Sequence, residues 1–431
     1  MSEKKITDVQ EELQEYGQPE AAEVNPQPEK LEEPKVNTLT LLHCSDIHLD
    51  APTIGLPAEK SEERRKALRT AFNTFIQLIK ERNIDFVLMS GDIFNNEYVT
   101  NTTAELLIHG FESCPKTHFV ITPGKHDCYN GNPIYSSGRL PDNCFVFNSE
   151  KLSRYDVKEF PNVIIYGWAF MDPEMRVNPL YDKQVDDSTR INIVCGYADL
   201  DGEVGSDSCP ISLEDLKKFG ADYCALGSRH QSTDFLDAGA SKYSYSGSLT
   251  CTGFDEPGFG GVKMIKIKYS DGEQIDICSE QPKLDDFAHE VFITKQIDIT
   301  GVNSNNEIIG KISELIETVC EKDGESAASF TSKRKKSDTA LRVELVGYVD
   351  PYFSALTDID GNVFGLYYFE VIDKTVPLYG TEHFKRDMTM KGEVFRTFYN
   401  SLHSSNEEER LQASKAFRIA LAALDNKELP S

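Results

Sequence analysis

The chain has 431 residues, 39% of them hydrophobic, with 24 Phe and 18 Tyr, and a net charge of −26. That apolar content excludes a chain that is disordered throughout and allows two or three domains. No apolar run reaches the length that spans a bilayer. So large an excess of carboxylates argues against phosphate-backbone binding over the whole surface, while leaving room for a local basic channel.

Residues 1–37 are acidic, rich in Pro and Gln and without periodicity, so a disordered tail is expected there. The first residues have no apolar h-region, which predicts no secretory signal. The ten cysteines are scattered singly with no CxxC pair, the pattern of reduced thiols in a cytoplasmic protein. Leu39 to Cys44 reads as a short buried strand. Leu68, Ala71, Phe72, Phe75, Ile76 and Ile79 form one helical stripe, and Asp85 to Ser90 is a second buried strand. Strand, amphipathic helix, strand predicts a βαβ unit with parallel pairing. His118–Thr122, Val163–Tyr166, Ile191–Cys195 and Tyr223–Leu226 continue the buried strands. Lys242–Ser246 and Gly261–Tyr269 are assigned to a second sheet. The apolar phase of the latter changes between Met264 and Ile265, so either a bulge lies there or both faces are partly buried.

Beyond Pro282 the pattern predicts a strand over Val291–Ile299, a helix over Asn306–Cys320 and a strand over Leu341–Val349. Between the last two, Gly324 to Asp338 reads as a mobile loop carrying the basic run Lys333 to Lys336, which is expected to be a solvated face. Glu407 to Leu424 is an amphipathic helix with Leu411, Phe417 and Leu421 on one side. The expected boundaries are a tail (1–37), a main domain (38–283), a small domain (284–375) and a C-terminal helical segment (376–431).

Four short segments follow predicted strands: Asp46-Ile-His48, Gly91-Asp92, Gly124-Lys-His126-Asp127 and Gly227-Ser-Arg-His230. Ligands in α/β sheets gather beyond the carboxyl ends of strands, so these loops can converge on one point. Asp46, His48, Asp92 and His230 would make a mixed nitrogen and oxygen site suited to Mn, Fe, Zn or Mg rather than to a soft metal. Trp168, after a strand, is expected in the core or a pocket wall.

The order of these segments resembles the signature of calcineurin-like metallophosphoesterases. Leu42-His-Cys-Ser-Asp-Ile-His-Leu-Asp50, Ser90-Gly-Asp-Ile-Phe94, Pro123-Gly-Lys-His-Asp127 and Tyr245-Ser-Gly-Ser-Leu-Thr-Cys-Thr-Gly-Phe-Asp-Glu256 are similar to the SbcD/YhaO branch of DNA-repair exonucleases. The likeness runs on through Met388-Thr-Met-Lys-Gly392 and the last helix. It implies an α/β protein: a β-sandwich flanked by helices, with a small α+β capping domain over 284–375. It also implies a two-metal site that hydrolyses phosphodiesters.

Carried over residue by residue, the resemblance gives Asp46, His48 and His230 to a first metal and Asp92 to the bridge. At the positions exclusive to the second metal this chain has Lys125, Tyr197 (Cys195 if the alignment slips) and Ser228. His126 keeps the place of the group that protonates the leaving group, followed by Asp127, and these two with Lys125 form the expected catalytic set. The expectation is one divalent ion, manganese first, with the Lys125 ammonium beside Asp92 in part of the space of the second. Arg229 is read either as a bidentate phosphate contact or as a solvent-facing side chain. The expected activity is a weak one-metal phosphoesterase of the DNA-repair exonuclease type. The alternative is a catalytically silent subunit that binds an SbcC-like ATPase or another regulator. A small phosphoester is the further substrate class that the negative charge tolerates. The expected partners are DNA, that ATPase and a second copy of the chain, with no membrane.

Overall fold

The computed structural model describes residues 36–424 apart from 54, 203–205, 252, 255–260, 271–272, 281–289, 321–334, 351–352, 354, 358, 360 and 378–384. The expected tail up to residue 35, and Lys333 and Arg334 with most of the loop that carries them, lie outside the described residues.

The first sheet begins with β1 (Asn37–Cys44), passes through helix α1 (Ala58–Arg82) to β2 (Phe86–Met89), and through helix α2 (Asn101–Glu112) to β3 (His118–Ile121) and β4 (Cys144–Val146). These four strands are parallel, with Leu41 opposite Phe86 and Phe86 opposite His118. The second sheet takes β5 (Ser153–Asp156), β6 (Val163–Gly167) and β7 (Ile191–Tyr197). A short pair follows, β8 (Asp199–Leu200) and β9 (Pro210–Ile211), then helix α3 (Leu213–Phe219). The second sheet is completed by β10 (Tyr223–Gly227), β11 (Leu236–Ala238) and β12 (Ser241–Tyr245). The chain then returns to the first sheet as β13 (Lys263–Ser270) and β14 (Glu273–Glu280), with β13 antiparallel to β1.

Side chains alternate across each strand, so a central strand buries both faces and reads as a continuous apolar run. Leu39, Leu41, Phe86 and Leu88 meet Ile165, Ile193, Cys195 and Ala225 between the two sheets. The opposite face of the first sheet (Leu42, Val87, Met89) packs on Phe72 and Phe75 of α1 and Phe111 of α2. The opposite face of the second (Ile164, Val194, Cys224) packs on Leu216 and Phe219 of α3. The result is a β-sandwich flanked by helices, the expected α/β fold.

One expectation is corrected, the sheet to which β13 belongs, and of the two alternatives left open at Met264 the second holds, with both faces buried. β12 lies in the second sheet, but β13 lies in the first. Its register shifts between Lys268 and Tyr269 rather than at Met264. Met264 is buried under α1 and α2, and Ile265 between the sheets, so the change of phase marks a strand covered on both faces.

Further on, β15 (Val291–Asp298), α4 (Asn305–Val319) and β16 (Thr339–Val346) form a second βαβ unit, parallel with Val291 opposite Thr339. β17 (Tyr348–Val349), β18 (Tyr368–Asp373) and β19 (Val376–Pro377) follow, and β18 adds to the sheet beside β16. Helices α5 (Met390–Leu402) and α6 (Glu407–Leu424) pack on each other through Phe395, Phe417 and Leu421. The fully buried Arg64 of α1 ties the sandwich to this part of the chain, bonding Glu290, Thr250 and the Cys251 carbonyl. Among the described residues no helix is long and apolar enough to cross a membrane.

His43 of β1 lies fully buried between the sheets, its Nδ1 2.8 Å from the Tyr223 hydroxyl. Burial, helped by the Lys263 charge, lowers its pKa from 6.5 to about 3. The unfolded chain therefore binds more protons than the folded one between those values, and His43 removes stability as pH falls from 6.5 towards 3. In urea unfolding across that window, His43→Gln is expected to lose less stability on acidification than the wild type. Parallel pH profiles would refute the assignment.

Candidate metal centre

The site lies at the carboxyl ends of the strands. Asp46 and His48 follow β1, Asp92 follows β2, Lys125 to Asp127 follow β3, Tyr197 ends β7, and Ser228 to His230 follow β10. The first two loops run side by side, with Asp46 N–H donating to the Gly91 carbonyl (3.0 Å), His48 N–H to Asp92 (3.0 Å) and Leu49 N–H to Ile93 (2.9 Å). Following this path requires left-handed backbone at Asp46 (φ 50°), His48 (48°) and Asp92 (54°). Such positions are uncommon outside glycine, and Asp and His are among the residues enriched there. Local strain of this kind gathers where the surrounding structure holds a functional geometry in place.

Asp127 supplies much of that hold. Its fully buried carboxylate accepts from the backbone N–H of Gly124 (2.6 Å), Asp92 (3.1 Å) and Ile93 (2.9 Å) and from the Tyr135 hydroxyl (2.6 Å). Burial, with the Asp92 charge nearby, pushes its pKa up to about 7, and these hydrogen bonds oppose the rise. The hydrogen bonds of its carboxylate run to backbone N–H groups and to Tyr135, a bracing geometry around Asp92.

Asp46 is also fully buried. Its Oδ2 accepts from the Ser45 hydroxyl and from Ser228 N–H (3.3 Å), while its buried Oδ1 has no hydrogen-bond donor. That orphaned oxygen is 3.6 Å from His230 Nε2. His48 Nε2 is 3.3 Å from His230 Nε2 and 4.0 Å from Asp92 Oδ2. Two facing imidazole nitrogens cannot both carry hydrogen, so at least one presents a lone pair. Burial raises the Asp46 carboxyl to about 6, against the pull of His230. A carboxylate this deep is costly as an anion unless a cation sits beside it. One carboxylate oxygen and two imidazole nitrogens within 4.8 Å of one another supply the place for that cation. The residues therefore fit a divalent metal held by Asp46, His48 and His230, with Asp92 adjoining.

Asp92 itself is engaged on both oxygens, by His126 N–H at Oδ1 (2.7 Å) and by the Tyr197 hydroxyl at Oδ2 (2.7 Å). The Tyr197 ring lies on Gly91 and Gly124, where an added Cβ would come within 2.4 and 2.8 Å of ring Cδ2. Burial and the Asp92 and Asp46 charges hold its phenol protonated. Cys195, the other candidate for this place, faces the inter-sheet core.

The expectation that the Lys125 ammonium lies beside Asp92 is corrected. It is half-exposed and pairs with Asp207 at 2.9 Å. Arg229 donates to the Leu200 carbonyl (2.7 Å) and stacks over Tyr245 at 4.9 Å, so it is engaged with its own chain. Trp168 is fully buried and donates to the Tyr197 carbonyl (3.0 Å). His126 is exposed, its ring centroid 5.2 Å from that of His48, and burial of part of its ring lowers its pKa against the opposing Asp92 charge. Sequence reasoning missed Asn95, which contacts both His48 and His126, and Tyr135. The one signal for Asn95 is its place three residues after Asp92 on the same strand-end loop.

Residues 39–231 match the family model described as calcineurin-like phosphoesterase, and this part of the chain is a calcineurin-like metallophosphoesterase domain. The chain is 28% identical over 246 residues to the uncharacterized metallophosphoesterase YhaO of Bacillus subtilis, covering 54% of this chain and 58% of that protein. It is 26% identical over 234 residues to the DNA double-strand break repair protein Mre11 of Aeropyrum pernix, covering 48% and 53%. The matches thus span little more than half the length of these curated relatives. Among solved structures, a dimetal phosphatase from Danio rerio aligns with TM-score 0.36 and 10% identity, over 56% of this chain and 98% of that one.

Asp127→Ala would leave its buried donors without an acceptor. It is expected to cost about 3 kcal/mol in urea unfolding and to weaken metal binding in a manganese titration. Unchanged stability would remove its bracing role.

Proposed function

We propose that the protein is a metal-dependent phosphodiesterase of the DNA-repair exonuclease kind that works with a single divalent ion, manganese first. The observation that carries this reading is the pairing of two features. Asp46 Oδ1, buried and without a donor, faces His48 and His230, while Asp92 is hydrogen-bonded by the phenol of Tyr197. A bound divalent ion polarises a phosphoryl oxygen and lowers the pKa of a coordinated water. Asp46, His48 and His230 would hold it, and Asp92 is fixed beside them by Tyr197 and the His126 amide. The neutral Tyr197 phenol adds a hydrogen bond but no charge where the family resemblance puts a second cation. His126 faces solvent beside the centre and donates the proton that the leaving oxygen needs.

In the same reading residues 38–283 are the catalytic part, 284–375 a cap joined to it through Arg64, and 376–431 the segment facing an SbcC-like ATPase. The substrate is a DNA end or a smaller phosphodiester met in the cytoplasm. The −26 net charge favours the smaller one unless a basic partner is present.

Metal content and manganese-supplemented diester hydrolysis are measured together on the wild type, Asp46→Asn, His230→Gln and His126→Gln. The expected result is one ion per chain in the wild type, metal and turnover both lost in the first two variants, and metal retained in the third. His126→Gln should lower turnover by about 10²–10⁴-fold. Two ions per chain would overturn the one-metal reading. No ion and no turnover would overturn the enzyme reading in favour of a silent binding subunit.

A further inference from the structure

We infer that Asn95 is a positioning residue that sets the tautomers of His48 and His126 in opposite senses, leaving Nε2 of His48 a bare lone pair for a metal and Nε2 of His126 a hydrogen-bond donor. The roles assigned to the two histidines rest on the phosphodiesterase reading above; the tautomers rest on contacts alone. A carboxamide has one end that only accepts hydrogen bonds and one that only donates. Asn95 Oδ1 lies 2.7 Å from His48 Nδ1, so that nitrogen carries the hydrogen. A neutral imidazole has only one, and His48 Nε2 therefore turns a bare lone pair towards His230 Nε2 at 3.3 Å. Asn95 Nδ2 lies 3.4 Å from His126 Nδ1, which must accept. The hydrogen of His126 then sits on Nε2, away from Asn95. Turning the amide over would put hydrogens against His48 Nδ1 and move the histidine's own hydrogen to Nε2. That hydrogen would sit among the donor atoms that face a cation.

The amide is held for this task. Phe94 bridges Leu49 across the two loops, and the Asn95 carbonyl accepts from Tyr98 N–H (2.9 Å) and Val99 N–H (3.1 Å). Asn96 N–H donates to the His126 carbonyl at 2.9 Å, which fixes the third loop against the second. The two rings stand 70° apart with the amide reaching both. An aspartate at this position would accept from both histidines. A leucine would instruct neither.

The test uses the full chain with nitrogen-15 histidine, free of metal, and long-range proton–nitrogen spectra, with His48→Gln and His126→Gln to identify the two rings. In the wild type the hydrogen is expected on Nδ1 of His48 and on Nε2 of His126. In Asn95→Asp, His48 should be unchanged while His126 gains a hydrogen on Nδ1, and manganese affinity by calorimetry should stay within about three-fold, because the ligand partner keeps its acceptor. In Asn95→Leu manganese affinity should fall by about 10–100-fold, the usual loss when the partner of a ligating histidine is removed. A wild-type His126 already protonated on Nδ1, or an Asn95→Leu chain that binds manganese as the wild type does, overturns the assignment. Absence of diester turnover in a wild type that shows the stated tautomers would count against the phosphodiesterase reading and leave the Asn95 assignment standing.

Discussion

The candidate centre depends on one fully buried carboxylate. Asp127 gathers the amides of Gly124, Asp92 and Ile93 onto one carboxylate, and so binds the loop after β3 to the loop after β2. A carboxylate in that position costs solvation, and its hydrogen bonds are what make it tolerable there. In exchange, two loops that would otherwise fray hold Asp92 and His126 at fixed places. The loop after β1 is fixed differently, by running as a ladder beside the loop after β2. The centre thus sits on an extension of the first sheet, and the second sheet contributes Tyr197 and His230.

Much of this was legible in the chain because it is local. The stripe from Leu68 to Ile79 has helical period, the strands around it are short apolar runs, and together they predict β1, α1, β2 and their parallel pairing. The last helix matches its expected span, Glu407 to Leu424. The four loops of the candidate site stand at strand ends as their spacing suggested. What failed was set by distant pairing. Nothing within β13 says that it will lie on β1 rather than beside β12. Lys125 meets a partner 82 residues on, and from the loop sequence alone its ammonium had nowhere obvious to go except towards Asp92. Asn95 escaped notice because an amide on a loop has no periodicity, and its meaning lies in two partners on separate strands.

Charge explains why a tyrosine can serve at the end of β7. Asp46, Asp92 and Asp127 are all fully buried within a small volume. On the proposed one-metal reading a single dication would leave the cluster still anionic, and a neutral phenol adds a donor without further demand on solvation. Lys125, by turning to Asp207, leaves that balance to the metal and the histidines.

The left-handed backbone at Asp46, His48 and Asp92 has a consequence for how such a centre drifts over generations. Asparagine is among the residues that tolerate this conformation, and it lies one base change away from aspartate. Alanine or valine there would disturb the loop as well as the chemistry. A lineage losing its metal can therefore pass through asparagine with the loop path unbroken, and the fold outlives the reaction it was shaped around.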